Sequence, residues 1–279
     1  VSRRIRAAVL GFAVAALLAG GFALATTLFP APVVCPVCGE ENSFLAVGSF
    51  GNYILDWPER FQLVFWPDTL GVNLWSCRRC RFTAFSQDFR TVPEDKKEEL
   101  RKALADVHFS PPPVAGSAQA NEYDLEYARL PIAERLAAAE RVYTVLGAND
   151  AMWCLFHRIA GYLYEASGDA ARARQSRAKA AELANAMLAD PKEAGHAVEL
   201  YLIRGSMRYF LGDRDAAAAD LRTARTLTYS DAALSDERSR AYDAYLHSVI
   251  DDFLKEIEAG REVPRGNEPD DAPDDAHAD

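Results

Sequence analysis

Four of the five cysteines fall in two pairs of identical internal spacing, Cys35 with Cys38 in CPVC and Cys77 with Cys80 in CRRC, and 38 residues separate the pairs. A C-x-x-C segment on a tight turn aims both sulfurs at one point, and two such turns supply four thiolates in a tetrahedron closed to solvent. That demand constrains the fold strongly, because it brings together two turns distant in the chain. The interval exceeds the ~15–20 residues of the commonest zinc ribbons, which an intervening hairpin or small sheet can absorb. The segments SFLAVGSFGNYILDW, FQLVFW and VNLWSC are rich in β-branched and aromatic residues between Gly, Pro and Asp breaks, and so predict strands. Eleven aromatic residues lie between Phe44 and Phe89, Trp57, Trp66 and Trp75 among them. A module of roughly 55 residues has little core of its own, so dense aromatics and a metal centre are the expected compensation.

The same thiols admit other chemistry. A structural metal, zinc or the iron that shares tetrahedral sulfur geometry, is one reading. Two structural disulfides, and then no cofactor at all, are a second. A redox-active pair is a third, and it needs its first Cys at a helix N-terminus; GEENSFLAV after Cys38 reads as turn and strand instead. Cys154 lies in a helical stretch and is expected to be a buried small hydrophobe.

Upstream, residues 7–29 carry no charge. At 1.5 Å per residue a helix of that length just covers a hydrocarbon core of about 30 Å. Arg3, Arg4 and Arg6 precede it. The expectation is a single-pass transmembrane anchor with residues 1–6 cytoplasmic and the main body extracytoplasmic. The alternative is a secreted protein whose signal peptide is cleaved after the small-x-small triplet Ala23, Leu24, Ala25.

Beyond residue 90 the pattern changes to helix. Thr91 and Glu94 have capping-box spacing with Pro93 in the first turn, predicting a helix within 91–109. The Pro-rich stretch 110–121 reads as a linker. A helical domain is expected over 122–260, where Gly161, Gly168, Asp169, Ala173, Ala180 and Leu183 recur 44 residues later as Gly205, Gly212, Asp213, Ala217, Ala224 and Leu227. These match tetratricopeptide positions: a small residue where helices approach, Gly-Asp at the turn, and Ala where the second helix packs. Residues 125–146 predict a leading pair or a long helix interrupted at Pro131. The final helix carries Tyr242, Tyr245, Leu246, Val249, Ile250, Phe253, Leu254 and Ile257 on one stripe that seals the stack. The tail 261–279 is expected to be disordered, since 262–279 holds seven acids against one Arg and no apolar period.

The fold class is thus expected to be mainly α: a transmembrane helix, a β-rich two-CxxC module over 33–90 and a TPR-like repeat domain. With a net charge of −10, the chain lacks the clustered Lys and Arg that nucleic acid requires. No G-x-S-x-G, H-E-x-x-H or phosphate-gripping Gly loop occurs, and the five His are scattered, so the residues give no positive sign of an enzyme.

Taken in order, CPVCG, a hydrophobic-aromatic stretch, WSCRRCRFTAF, SQDF and EDKKEELRKAL resemble an uncharacterised bacterial domain-of-unknown-function family that couples two Cys pairs to TPR-like helices. The resemblance implies a zinc-ribbon or rubredoxin-like module with Cys35, Cys38, Cys77 and Cys80 as metal ligands, and no reaction. Arg81 departs from that pattern, standing where the family's second pair is followed by Gly, and so does the N-terminal span. Two functions compete. One is a non-enzymatic, membrane-anchored scaffold whose TPR-like helices hold a protein or peptide partner. The other is an exported thiol redox or metal-handling protein that uses the CxxC pairs.

Overall fold

A computed structural model of the chain describes residues 27–49, 71–111 and 125–260. Strand β1 (Thr27–Val34) runs antiparallel to β2 (Glu41–Ser49), with Val34 opposite Glu41 at the turn. Pro30 and Pro32 stand two residues apart in β1, opposite Leu45 and Ser43. A second short antiparallel pair, β3 (Leu74–Ser76) with β4 (Thr83–Phe85), is wholly buried. The turn of the first hairpin is CPVCG and the turn of the second is CRRCR, so each Cys pair closes its own hairpin.

The aromatic core forms where the hairpins meet. Phe44 of β2 stacks on Trp75 of β3 at 4.8 Å, and Phe89 and Tyr127 meet it edge-on, each at 4.9 Å. Such pairs add about 0.5–1.5 kcal/mol each beyond the area they bury. Trp75 Nε1 donates to the Leu45 carbonyl (3.1 Å), which satisfies its one polar atom.

Helices α1 (Lys97–Ala103), α2 (Glu126–Arg129), α3 (Ile132–Leu146) and α4 (Asp150–Ala166) continue this core through Leu100, Leu136, Val142 and Phe156. Their polar tips finish the hairpin backbone. Tyr127 Oη accepts from the Leu45 amide (2.8 Å) and donates to the Val72 carbonyl (2.9 Å). Tyr143 Oη accepts from the Phe85 amide (3.0 Å) and donates to Asp88 (2.8 Å). Arg135, only 3 % exposed, gives Nη1 to the carbonyls of Gly71 and Leu74, both at 2.9 Å. Burial lowers its pKa to about 10, which leaves it charged at neutral pH.

Beyond α4 come α5 (Ala170–Leu188), α6 (Ala197–Leu211), α7 (Arg214–Ala224) and α8 (Asp236–Glu258). The 44-residue recurrence appears as two helical hairpins, α4–α5 and α6–α7, built alike. Gly168 (φ 82) and Gly212 (φ 96) end the first helix of each in the left-handed region. Asp169 and Asp213 cap the second helix, accepting from the amides of Arg172 (3.0 Å) and Ala216 (3.1 Å). A Cβ at Gly161 would stand 3.5 Å from the Ala173 carbonyl, and one at Gly205 would stand 3.2 Å from that of Ala217, so both pairs of helices cross at a glycine. Arg177 has no counterpart in the second hairpin. It is buried, ion-paired to Glu165, and lies 4.7 Å above the Phe210 ring. Helix α8 buries Leu246, Val249, Ile250, Phe253 and Leu254 against α6 and α7, while Tyr245 of the expected stripe stays 49 % exposed.

Two expectations are corrected. Among the described residues no helix is long and apolar enough to cross a membrane. Residues 7–26 of the expected anchor lie outside the described residues, and its last three, Thr27, Leu28 and Phe29, pair with Ser49, Val47 and Ala46. An apolar run rich in Thr, Leu and Phe satisfies its backbone equally well as a strand once a partner strand is joined to it by a tight turn. The transmembrane element of the fold class is therefore not supported, nor is a single-pass location with a cytoplasmic N-terminus and an extracytoplasmic body. The second correction is local. The capping box at Thr91 and Glu94 does not form; a 3-10 turn (Glu94–Lys96) starts after Pro93 with no side-chain cap. The strands expected over 50–66, most of the 110–121 linker and the 261–279 tail lie outside the described residues.

Candidate metal centre

The two hairpin turns are built with the same hydrogen bonds. Cys35 N donates to Glu40 O (2.8 Å) and Gly39 N to Cys35 O (2.9 Å); Cys77 N donates to Phe82 O (2.8 Å) and Arg81 N to Cys77 O (3.1 Å). Both turns need a left-handed residue after the second Cys. Gly39 supplies it at φ 74, and Arg81 supplies it at φ 64, the one non-glycine with positive φ among the described residues.

The turns face each other. All four Sγ atoms lie within 4.8 Å of one another, and the set could hold a metal ion. The close contacts run between the pairs: Cys35 to Cys80 at 3.6 Å and Cys38 to Cys77 at 3.7 Å. A tetrahedron with metal–sulfur bonds of ~2.3 Å has sulfur–sulfur edges of about 3.8 Å. A disulfide bond is ~2.05 Å. The spacing therefore suits four thiolates around one small cation, and all four cysteines are free thiols. Cys35 and Cys77 are buried, while Cys38 and Cys80 are partly so.

Hydrogen bonding makes Cys35, Cys77 and Cys80 unequal. Cys77 is held far below the usual thiol range, first by hydrogen bonds from Cys35 and Cys80, then by the amides of Cys80 and Arg79. Cys35 is pushed up to about 12, chiefly because its hydrogen bond to Cys77 keeps it protonated, with burial adding to the effect. Cys80 is pushed up by its bonds to Cys35 and Cys77. Among these three, Cys77 is held toward its thiolate and Cys35 and Cys80 toward their thiols.

A residue the sequence did not flag ties the turns together. Asn42, 7 % exposed on β2, donates Nδ2 to the Glu40 carbonyl (2.9 Å) and to Cys77 Sγ (3.7 Å). Its Oδ1 accepts from the Arg78 amide (3.0 Å). One amide side chain therefore serves the backbone of both turns and one sulfur, the kind of outer contact that orients a metal ligand. The only sequence signal was an Asn at the fourth position after Cys38, on a strand that alternates inward from there. Outside this, Arg78 pairs with Glu40 (2.5 Å), and Arg101 of α1 donates Nη2 to the Val37 carbonyl (2.8 Å).

Over residues 28–242 the sequence matches a family described as an uncharacterized protein conserved in bacteria, DUF2225. The chain belongs to this family. No curated protein and no solved structure matches it. The DUF2225 stretch holds both hairpins, all four clustered cysteines and the helices as far as the first turns of α8. Cys154 stands apart, buried in α4, with Sγ 3.7 Å from the Ala180 carbonyl and a pKa raised by burial, as a packed hydrophobe should be.

Proposed function

We propose that Cys35, Cys38, Cys77 and Cys80 hold one zinc ion as a structural staple, and that the helical hairpins stack in the tetratricopeptide manner as a platform for a peptide segment of a partner protein, with no catalytic step. The observation that carries the metal reading is the quartet of sulfurs at tetrahedral spacing, contributed by two like turns. When bound, zinc supplies a redox-silent, four-coordinate cross-link. What the chain's own residues contribute is position. Backbone amides and Asn42 orient the sulfurs, and the second hairpin with the 3-10 turn (Gly71–Asn73) that leads into it presents the carbonyls that Arg135 and Tyr127 cap. Four sulfurs leave no open coordination place, which favours a structural over a catalytic metal. Both turns lead into strands rather than helices, so no helix N-terminus activates a redox thiol. The platform reading is supported by the two like hairpins and by the extended surface such stacks offer.

Cobalt substitution tests the metal reading. Cobalt(II) added to metal-free protein is expected to give the intense visible bands and sulfur-to-metal charge transfer of a tetrahedral four-thiolate site, at one cobalt per chain, displaced by zinc. Six-coordinate spectra, or no uptake, would overturn it.

A further inference from the structure

Between α3, α4 and α5 lies a cleft of about 310 Å³ that the metal centre does not touch, within the size range of ligand sites. Its three sides differ in chemistry. Arg172, Gln175, Ser176 and Lys179 of α5 line one wall at i, i+3, i+4 and i+7, a continuous face of hydrogen-bond donors. The opposite wall, from α3, is Ala133 and Ala137 with Glu134 and Glu140. The floor, from α4, includes Phe156, His157 and Tyr164.

Of the two carboxylates that line this cleft, one is committed and the other, Glu140, is held by a single loose partner, against four hydrogen-bonding side chains on α5. Glu134 is committed, since Ser110 donates both its amide (2.6 Å) and its hydroxyl (2.5 Å) to it. The cations hold their partners loosely: Lys179 stands 3.5 Å from Glu140, and Arg172 Nε stands 3.6 Å from Asp169, all on partly or half-exposed side chains. Exposed pairs of this kind are worth at most about 1 kcal/mol, so an incoming carboxylate can displace them. His157 is only 7 % exposed and stacks on Trp153 at 5.7 Å, with no hydrogen-bond partner for Nδ1. Burial, helped by the charge of Lys179, lowers its pKa to about 4, so it is neutral at physiological pH.

We infer that this cleft seats a short extended peptide segment bearing acidic side chains, gripped by Arg172 and Lys179 with the peptide chain over His157. The inference rests on the platform reading and specifies its ligand and its place. From Arg172 to Lys179 the donor wall is about 10 Å long, which matches three residues of extended chain.

The test uses the full chain with labelled histidine imidazoles and two probes, an acetylated tetrapeptide amide of aspartate and alanine and its asparagine counterpart. The aspartate probe is expected to shift the His157 resonances and to bind at least about tenfold more tightly than the asparagine probe. Lys179→Gln and Arg172→Gln, both at half-exposed side chains, are each expected to lose about tenfold. If the two probes bind equally, or move resonances other than His157, the cleft assignment is overturned and the platform stands. If neither probe binds a protein that stays folded, both readings fall.

Discussion

The two Cys turns have the same backbone and different side chains, and the difference separates what the geometry requires from what it tolerates. Cys35 and Cys77, Cys38 and Cys80, and Gly39 and Arg81 correspond, with matching hydrogen bonds. The first turn takes the left-handed residue without cost. The second forces an Arg into it, which costs about 1–2 kcal/mol for an ordinary L-residue. Arg81 recovers part of that, because Nη1 donates to the Arg78 carbonyl (2.5 Å) and the guanidinium lies 5.3 Å over the Phe109 ring. A strained turn survives where its surroundings over-determine it, here the β3–β4 ladder on one side and the facing turn on the other. The sulfurs differ as well: Cys77 is held below the usual thiol range and Cys35 above it.

The largest effect should erase the distinction. Cys35→Ser and Cys77→Ser each leave three sulfurs, and both are expected to lose the metal and the packing of the hairpins, since structural zinc contributes on the order of 10 kcal/mol. Hydrogen exchange should rise across β1 to β4 in both variants while α6 to α8 stay protected; retention of metal by either variant would break the equivalence. Next comes pH. In the metal-free protein Cys35 and Cys80 titrate above neutrality, so binding a cation at about pH 7 must expel their protons. Metal affinity is then expected to rise with pH, by about a hundredfold per unit for two protons, and calorimetry in buffers of different ionisation enthalpy should count at least two released. Asn42→Ala removes the bond to Cys77 and orphans the Arg78 amide, and is expected to weaken metal binding about 10–100-fold in competition with a chelator.

The strain itself gives a smaller effect of opposite sign in the two turns. Arg81→Gly should stabilise the metal-loaded protein by about 1 kcal/mol, and Gly39→Ala should destabilise it by about as much, both read from thermal or denaturant melts. Equal responses would mean that Arg81 is not strained. The smallest effect is expected from Arg78→Ala, which removes the Glu40 pair from a side chain 62 % exposed and should change stability by less than about 1 kcal/mol.

The parts legible in the sequence were those written in local spacing. The Cys pairs announced two turns because four residues define each of them, and the Gly-Asp steps at 168–169 and 212–213 announced helix boundaries because a left-handed stop and an N-cap are local chemistry. What was not legible depended on partners far along the chain. Thr27 to Phe29 read as the end of an apolar helix because β2, which makes them a strand, lies beyond the turn. Asn42 looked like an ordinary polar residue until the second turn supplied its Arg78 and Cys77 partners. Nothing in local spacing marks Arg177 for burial, and only the opening above Gly161, with Glu165 and Phe210 beside it, explains a buried guanidinium there.

Native mass spectrometry of the full chain, purified without reductant, tests the central claim most directly. One zinc per chain is expected, with the four cysteines resisting alkylation until a chelator and denaturant are added together. A metal-free chain four hydrogens light, with only Cys154 open to alkylation after denaturation, would mean two disulfides and would contradict the account.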